Sequence, residues 1–297
     1  MSERRGDTTA LRIGLRTGVV LGLAGLAGLV MFCWPLFVQG TTGHTQDAPF
    51  VFIVLLPFLV AVVLASFADG GMDSKALAML GVLSAVNAAL RPLSAGTAGI
   101  EMVFFLLVLA GRVFGPGFGF VLGCTSLFAS ALLTAGVGPW LPFQMVAAAW
   151  IGLGAGLLPR RVTGGREILM LAAYGVIAAY GFGMLMNLWF WPLSLGEGTS
   201  LSFVPGAALA DNLQRFLVFT FVTSTIGWDT GRAVTNALAI VALGPAVLTT
   251  LRRSAHIASF GAPVTFGLRD DTACETSHPA TWHETGLRGV VPVKPGT

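Results

Sequence analysis

Polar and aromatic side chains suited to holding a small molecule stand at the ends of long apolar runs in this chain. The segment RPLSAGTAG begins at Arg91 and leads to Glu101. The segment GVGPWLPFQ, 136–144, carries Trp140 and Gln144. Asn187, Trp189 and Trp191 close a later run, and Asp211, Asn212, Arg215, Trp228, Asp229, Arg232 and Asn236 follow. Tryptophans at a bilayer interface are ordinary belt residues. A belt does not account for Glu101, Gln144, Asn187 or Arg232, because amides and charges beside apolar segments face a cavity or one another. Aromatic walls with a few converging polar groups describe a small-molecule pocket. In that reading Trp140, Trp189 and Trp228 contact apolar parts of a ligand. Gln144, Asn187, Asp211, Arg215 and Arg232 supply hydrogen bonds and charge, with Arg91, Glu101 and Asn236 beside them.

Other chemistries have weaker signals. Glu101, Asp211 and Asp229 would be the acid–base groups of an enzyme acting on lipid, but their spacing supports no catalytic pair. The chain has no HExxH, no GxSxG and no GxxxxGK[ST],. The glycine-rich stretch GRVFGPGFGF, 111–120, is therefore not a nucleotide loop, and the chain cannot power transport by its own hydrolysis. Cys274, His278 and His283 would hold a metal only loosely, without a second cysteine,. No catalytic residue, metal centre or cofactor is assigned.

The elements that must position these residues follow from composition. Of 297 residues, 55% are hydrophobic and 10% charged, and the mean hydropathy is +0.80. A soluble domain carries about a quarter charged residues, so the chain reads as an all-α, polytopic membrane protein. The basic residues punctuate apolar runs instead of clustering, which excludes nucleic acid as a partner,. Cys33 and Cys124 read as small apolar packing residues, and no disulfide framework is legible,.

Eight spans are expected: Gly18–Val38, Pro49–Phe67, Ser74–Leu90, Ile100–Val113, Gly117–Ala135, Leu141–Leu158, Glu167–Trp191 and Ala233–Leu251. The fourth is short, hence tilted or only partly spanning. With a cytoplasmic N-terminus, one side holds Arg4, Arg5, Arg12, Arg16, Lys75, Arg112, Arg160, Arg161, Arg166, Arg252 and Arg253. The other holds Arg91, Arg215 and Arg232, a strong positive-inside bias,. Counting Leu209–Ile226 as a ninth span would move Arg252 and Arg253 outside and bury Arg215, so that segment is expected on the outer side, amphipathic or re-entrant. The resulting organisation is a cytoplasmic N-terminus at 1–17, two helices in 18–68 and a membrane core in 69–253. The core has a long outer segment at 193–231, and a disordered cytoplasmic tail occupies 254–297,. The localisation is the plasma membrane, with both termini cytoplasmic.

GRVFGPGFGF then falls at a cytoplasmic corner, with Gly115-Pro116-Gly117 as the turn, the next helix starting near Gly117 and Arg112 as a topological anchor,. Small residues recur at four-residue spacing: Gly81, Ala85 and Ala89; Ala148, Gly152 and Gly156; Gly175, Ala179 and Gly183. Such stripes let helices approach closely, either inside the bundle or at a docking face for another subunit.

The region 76–159 resembles the substrate-binding S component of energy-coupling factor (ECF) transporters. The resemblance rests on ALAMLGVLSAVNAALRPL, GIEMVFFLLVLAGRVFGPGFGFVLG and ASALLTAGVGPWLPFQMVAAAWIGLGAGLLPR, with WDTGRAVTNALAIVALGPAVLTTLRR similar to the family's last helix. It covers about half the chain. It implies a six-helix core that captures a vitamin or related micronutrient from outside, with cobalamin as the preferred example for a long, aromatic outer segment. It also implies a membrane coupling subunit and two ATPases as partners, with Gly81, Ala85 and Ala89 as the docking stripe. The alternatives are a structural or assembly protein without ligand, and the lipid enzyme above.

Overall fold

A computed structural model describes residues 15–33, 74–94, 99–195 and 198–258. The expected span Pro49–Phe67, the residues before Leu15 and those after Ala258 lie outside them, as do Cys274, His278 and His283. Among the described residues there is no strand. The helices are α1 (Leu15–Phe32), α2 (Ser74–Ser94), α3 (Val103–Phe114), α4 (Pro116–Leu133), α5 (Leu141–Leu157), α6 (Gly165–Ser194), α7 (Leu209–Thr220) and α8 (Thr230–Ala258). A π-helical stretch, Phe221–Asp229, joins the last two.

The centre of the bundle is α3. All twelve of its residues are buried, as expected for a helix that is apolar on every side. At about 1.5 Å per residue it is roughly 18 Å long, shorter than the ~30 Å apolar thickness of a bilayer, so the short fourth span is a fully buried core helix. Helices α2, α4, α5, α6 and α8 pack around it. Among the described residues, three helical runs are long and apolar enough to cross a membrane: Pro116–Leu133, Gly165–Pro192 and Leu209–Ala258. Their outward faces are apolar, with Leu132, Leu169, Ile177, Leu238 and Val241 all exposed.

The corner in GRVFGPGFGF is tighter than expected. Gly115 alone makes the turn, at φ 97°, and Pro116 is already the first residue of α4. Proline suits that position because its missing N–H has no partner to lose. The neighbouring glycines hold α3, α4 and α5 together. A Cβ on either Gly111 or Gly119 would run into the Gly152 carbonyl, and one on Gly156 would strike Pro116. The stripe Ala148, Gly152 and Gly156 is thus consumed by internal packing. So is Gly175, Ala179 and Gly183, which faces α8: a Cβ on Gly175 would meet Ile240, Ala179 is fully buried, and Gly183 abuts Asp229.

Arg112 is not a surface anchor. It is 7% exposed. Its Nε donates to Glu167 at 2.7 Å, and its two Nη groups donate to the carbonyls of Leu158 and Val162 at 2.9 and 3.0 Å. Arg252 shares the same Glu167 oxygen at 2.6 Å. The guanidinium therefore ties the end of α3 to the α5–α6 connection and, through Glu167, to α8. A buried charge this deep needs such full pairing, because an unpaired one costs several kcal/mol.

The segment 209–226 is not a separate re-entrant piece. It is the first part of a continuous helical run that ends at Ala258. The run is about 75 Å long on ordinary helical rise, more than twice the ~30 Å apolar thickness of a bilayer. Its first part is amphipathic as expected: Asn212, Phe216, Phe219 and Thr220 face inward, and Leu213, Leu217 and Phe221 face out. Hydroxyls in and beside the π-helical stretch bond back to the main chain, Thr223 to the Phe219 carbonyl at 2.7 Å and Thr230 to the Thr225 carbonyl at 2.6 Å. Such bonds compete with the helical ladder, and π segments favour functional sites.

Two alanine substitutions separate internal from outward glycines. Gly152→Ala forces α5 off α4 and is expected to cost about 1–3 kcal/mol. At Gly81 a methyl group would meet nothing within 4 Å, so Gly81→Ala is expected to be neutral or slightly stabilising through helix propensity. Thermal unfolding in detergent checks both signs.

Candidate ligand-binding site

Five of the residues expected to bind substrate come together at the end of the bundle where α2 and α4 finish and α3 and α5 begin. Arg91, on the last turn of α2, donates to Gln144 Oε1 at 3.0 Å and pairs with Glu101 at 3.5 Å. Glu101 receives Arg232 Nε at 2.8 Å. Asn236, one turn further along α8, donates to the Glu101 carbonyl at 2.7 Å. Residues from four stretches of chain thus meet around Glu101, with Arg91 and Arg232 on its carboxylate.

Asp229 completes the group. Its carboxylate is 1% exposed, accepts from Ser224 at 2.7 Å and pairs with Arg232 at 3.2 Å. Gly183 on α6 makes room for it, since a Cβ there would collide with the carboxylate. Arg232 also lies over the rings of Phe182 and Phe104, 5.0 and 5.7 Å from their centroids, which adds cation–π attraction in a dry setting. Sequence reasoning gives Asp229 only the part of an enzyme's acid–base group and misses this pairing. Its i, i+3 spacing to Arg232 is the available signal, while Gly183's role depends on contact with another helix.

The network is balanced, with Arg91 and Arg232 against Glu101 and Asp229, and largely self-satisfied. Among the described residues, the Oδ1 of Asn236 and the Nδ2 of Asn187 are buried without a hydrogen-bond partner. A polar seam runs up to Arg91 between α2 and α4, where Ser84 meets Thr125 at 2.7 Å and Asn87 donates to Ser126 at 3.0 Å. Asn87 Oδ1 and Ser130 Oγ are further buried atoms without partners.

The tryptophans divide. Trp189, expected in a ligand wall, is core: it is 4% exposed and packs on Phe143 at 4.5 Å between centroids. Its position on α6 faces the start of α5. Trp140 and Trp228 are exposed, at 43% and 49%. Trp140 donates to the Gly136 carbonyl in its own turn, at 3.2 Å.

Asp211 and Arg215 are not part of the network. They sit on α7, more than 20 Å along the helical run from Arg232 at ordinary rise. There they line an open depression of about 320 Å³ with Ser200, Leu201, Gln214 and Val218. The single cavity expected from sequence therefore separates into a partly buried ion-pair network and a surface depression. Searches against protein-family models, curated proteins and solved structures found no match.

The shared carboxylate makes Glu101 and Arg232 energetically coupled. A double-mutant cycle with Glu101→Gln and Arg232→Gln is expected to give a coupling of about 0.5–3 kcal/mol. Denaturation of the four proteins in detergent measures it, and strictly additive losses would contradict the contact.

Proposed function

We propose that the chain is the substrate-capture subunit of an ECF-type importer, with eight spans in the plasma membrane and both termini cytoplasmic. In this reading the end bearing Lys75, Arg112, Arg160, Arg161, Arg166, Arg252 and Arg253 faces the cytoplasm. The end bearing Arg91, Arg215 and Arg232 faces out and receives a vitamin or related micronutrient. A coupling subunit and two ATPases drive the uptake.

The observation that carries the reading is the direction of one small-residue stripe. Gly81, Ala85 and Ala89 all point out of the bundle, flanked by exposed Leu77, Val82 and Val86. The other two stripes are used up between helices of this chain. A face of small residues that no other described helix covers lets a foreign helix approach to backbone distance, as docking on a coupling subunit requires. The cavity on α7, about 320 Å³, lies at the small end of the ~300–1,000 Å³ common for ligand sites. It suits a small ligand better than one of cobalamin's size.

A second reading is favoured by the self-pairing of the network around Glu101. Charges that satisfy one another need no ligand, as in a structural or assembly protein. The lipid-enzyme reading gains nothing, because Glu101 and Asp229 are both held by guanidinium groups.

Co-expression with an ECF coupling subunit and its ATPases, followed by affinity purification, distinguishes the two. The wild type is expected to retain all three partners, and Ala85→Trp to lose them at least tenfold while native mass spectrometry still detects its bound small molecule. Failure of the wild type to associate, or equal retention by Ala85→Trp, overturns the docking role. Absence of any bound small molecule across a broad vitamin panel favours the structural protein.

A further inference from the structure

We infer that the depression on α7 binds a small zwitterion, a molecule carrying both an ammonium and a carboxylate. The inference rests on the capture reading and specifies its substrate class.

Asp211 and Arg215 are one helical turn apart, with the acid on the N-terminal side. On a free helix surface that spacing brings opposite charges within pairing distance. Here the two do not pair: Arg215 Nη1 donates to Asn212 Oδ1 at 3.2 Å, and among the described residues no ion pair joins it to Asp211. Both charges instead border the same depression, with Gln214 between them and Ser200 also in its lining.

The walls are held in place. Asn212, 5% exposed, clamps the backbone of Val204 in both directions, accepting from its N–H at 3.1 Å and donating to its carbonyl at 2.9 Å. Trp191, 1% exposed, donates to the Leu201 carbonyl at 2.8 Å, and its ring packs on Phe203 and Phe216. The loop that carries Ser200 and Leu201 is thereby tied to α6 and α7, and Arg215 is oriented by the same asparagine that fixes the loop.

Charge selects the ligand. A simple anion attracted to Arg215 is repelled by Asp211, and a simple cation suffers the reverse. A molecule with both charges uses both, its ammonium on the Asp211 carboxylate and its carboxylate on the Arg215 guanidinium. The two Cβ atoms lie about 5–6 Å apart, within reach of the two ends of one small molecule. Leu201 and Val218 offer apolar surface for the remainder, and a cavity of about 320 Å³ holds a molecule of amino-acid size.

The test uses the full chain in nanodiscs, titrated calorimetrically with free α-amino acids and with their N-acetyl and amide derivatives. At least one free amino acid is expected to bind, and each blocked derivative to bind at least tenfold more weakly. Arg215→Gln is expected to abolish the preference for the free acid over the amide, and Asp211→Asn the preference over the N-acetyl form. Both substitutions remove a charge while keeping a polar side chain at the rim of the depression, and thermal unfolding verifies that each variant folds. No binding by any zwitterion, or binding unchanged in both variants, overturns the proposal. Native mass spectrometry of the same samples separates the two failures. A retained small molecule lacking paired charges leaves capture standing and removes the zwitterion, whereas no retained molecule of any class removes both.

Discussion

The bundle depends on the approach of three helices to one carbonyl group. The backbone of Gly152 on α5 meets Gly119 on α4 and Gly111 on α3, each at a distance that a side chain would forbid. Between apolar helices in lipid there is little hydrophobic drive for association, so close van der Waals contact must supply it. This triple contact sits a few residues from the Gly115 corner, so α3 and α4 leave the turn already in register with α5. With α3 seated there, none of its residues is left exposed, and the other helices must surround it.

The charges at the edges of this core are paired. At one end Glu167 is shared by Arg112 and Arg252. At the other, Glu101 is shared by Arg91 and Arg232, and Arg232 also reaches Asp229. The glycine contact lies beside the first network, Gly111 being next to Arg112, and each network pins helices that are remote in sequence. A removed partner in such a setting leaves a buried charge uncompensated, which costs far more than a surface pair contributes. The depression on α7 differs because it lies at the edge of the packed body. Asp211 and Arg215 there can remain unpaired with each other because solvent reaches them.

Much of the helical framework was legible because apolar runs and breakers are local signals. The expected ends of the helices at Ser74, Leu141 and Glu167 lie within two residues of the observed ones. The continuity of 209–258 was not legible. Arg215 and Asp211 read as charges too expensive for a span, which argued for a separate segment. A run much longer than a bilayer accommodates them at its outer end, and length alone does not reveal where a helix continues. Trp189 likewise could not be told from Trp140, since nothing in the residue type says which neighbour will cover it.

The chain's own residues determined an apolar helical protein with a tight corner at Gly115, polar residues at recurring helix ends and three small-residue stripes. Composition, periodicity and turn chemistry act over a few residues, so they can be read along a line. Only the tertiary structure decided which stripe was spent inside and which faced outward. It also decided that Arg112 would be buried on Glu167, and that Arg91, Glu101, Gln144, Arg232 and Asn236 would meet while Asp211 and Arg215 stood apart. Those outcomes depend on contacts between residues up to 135 positions apart in the chain, and pairing across such separations is set by the packing of whole helices.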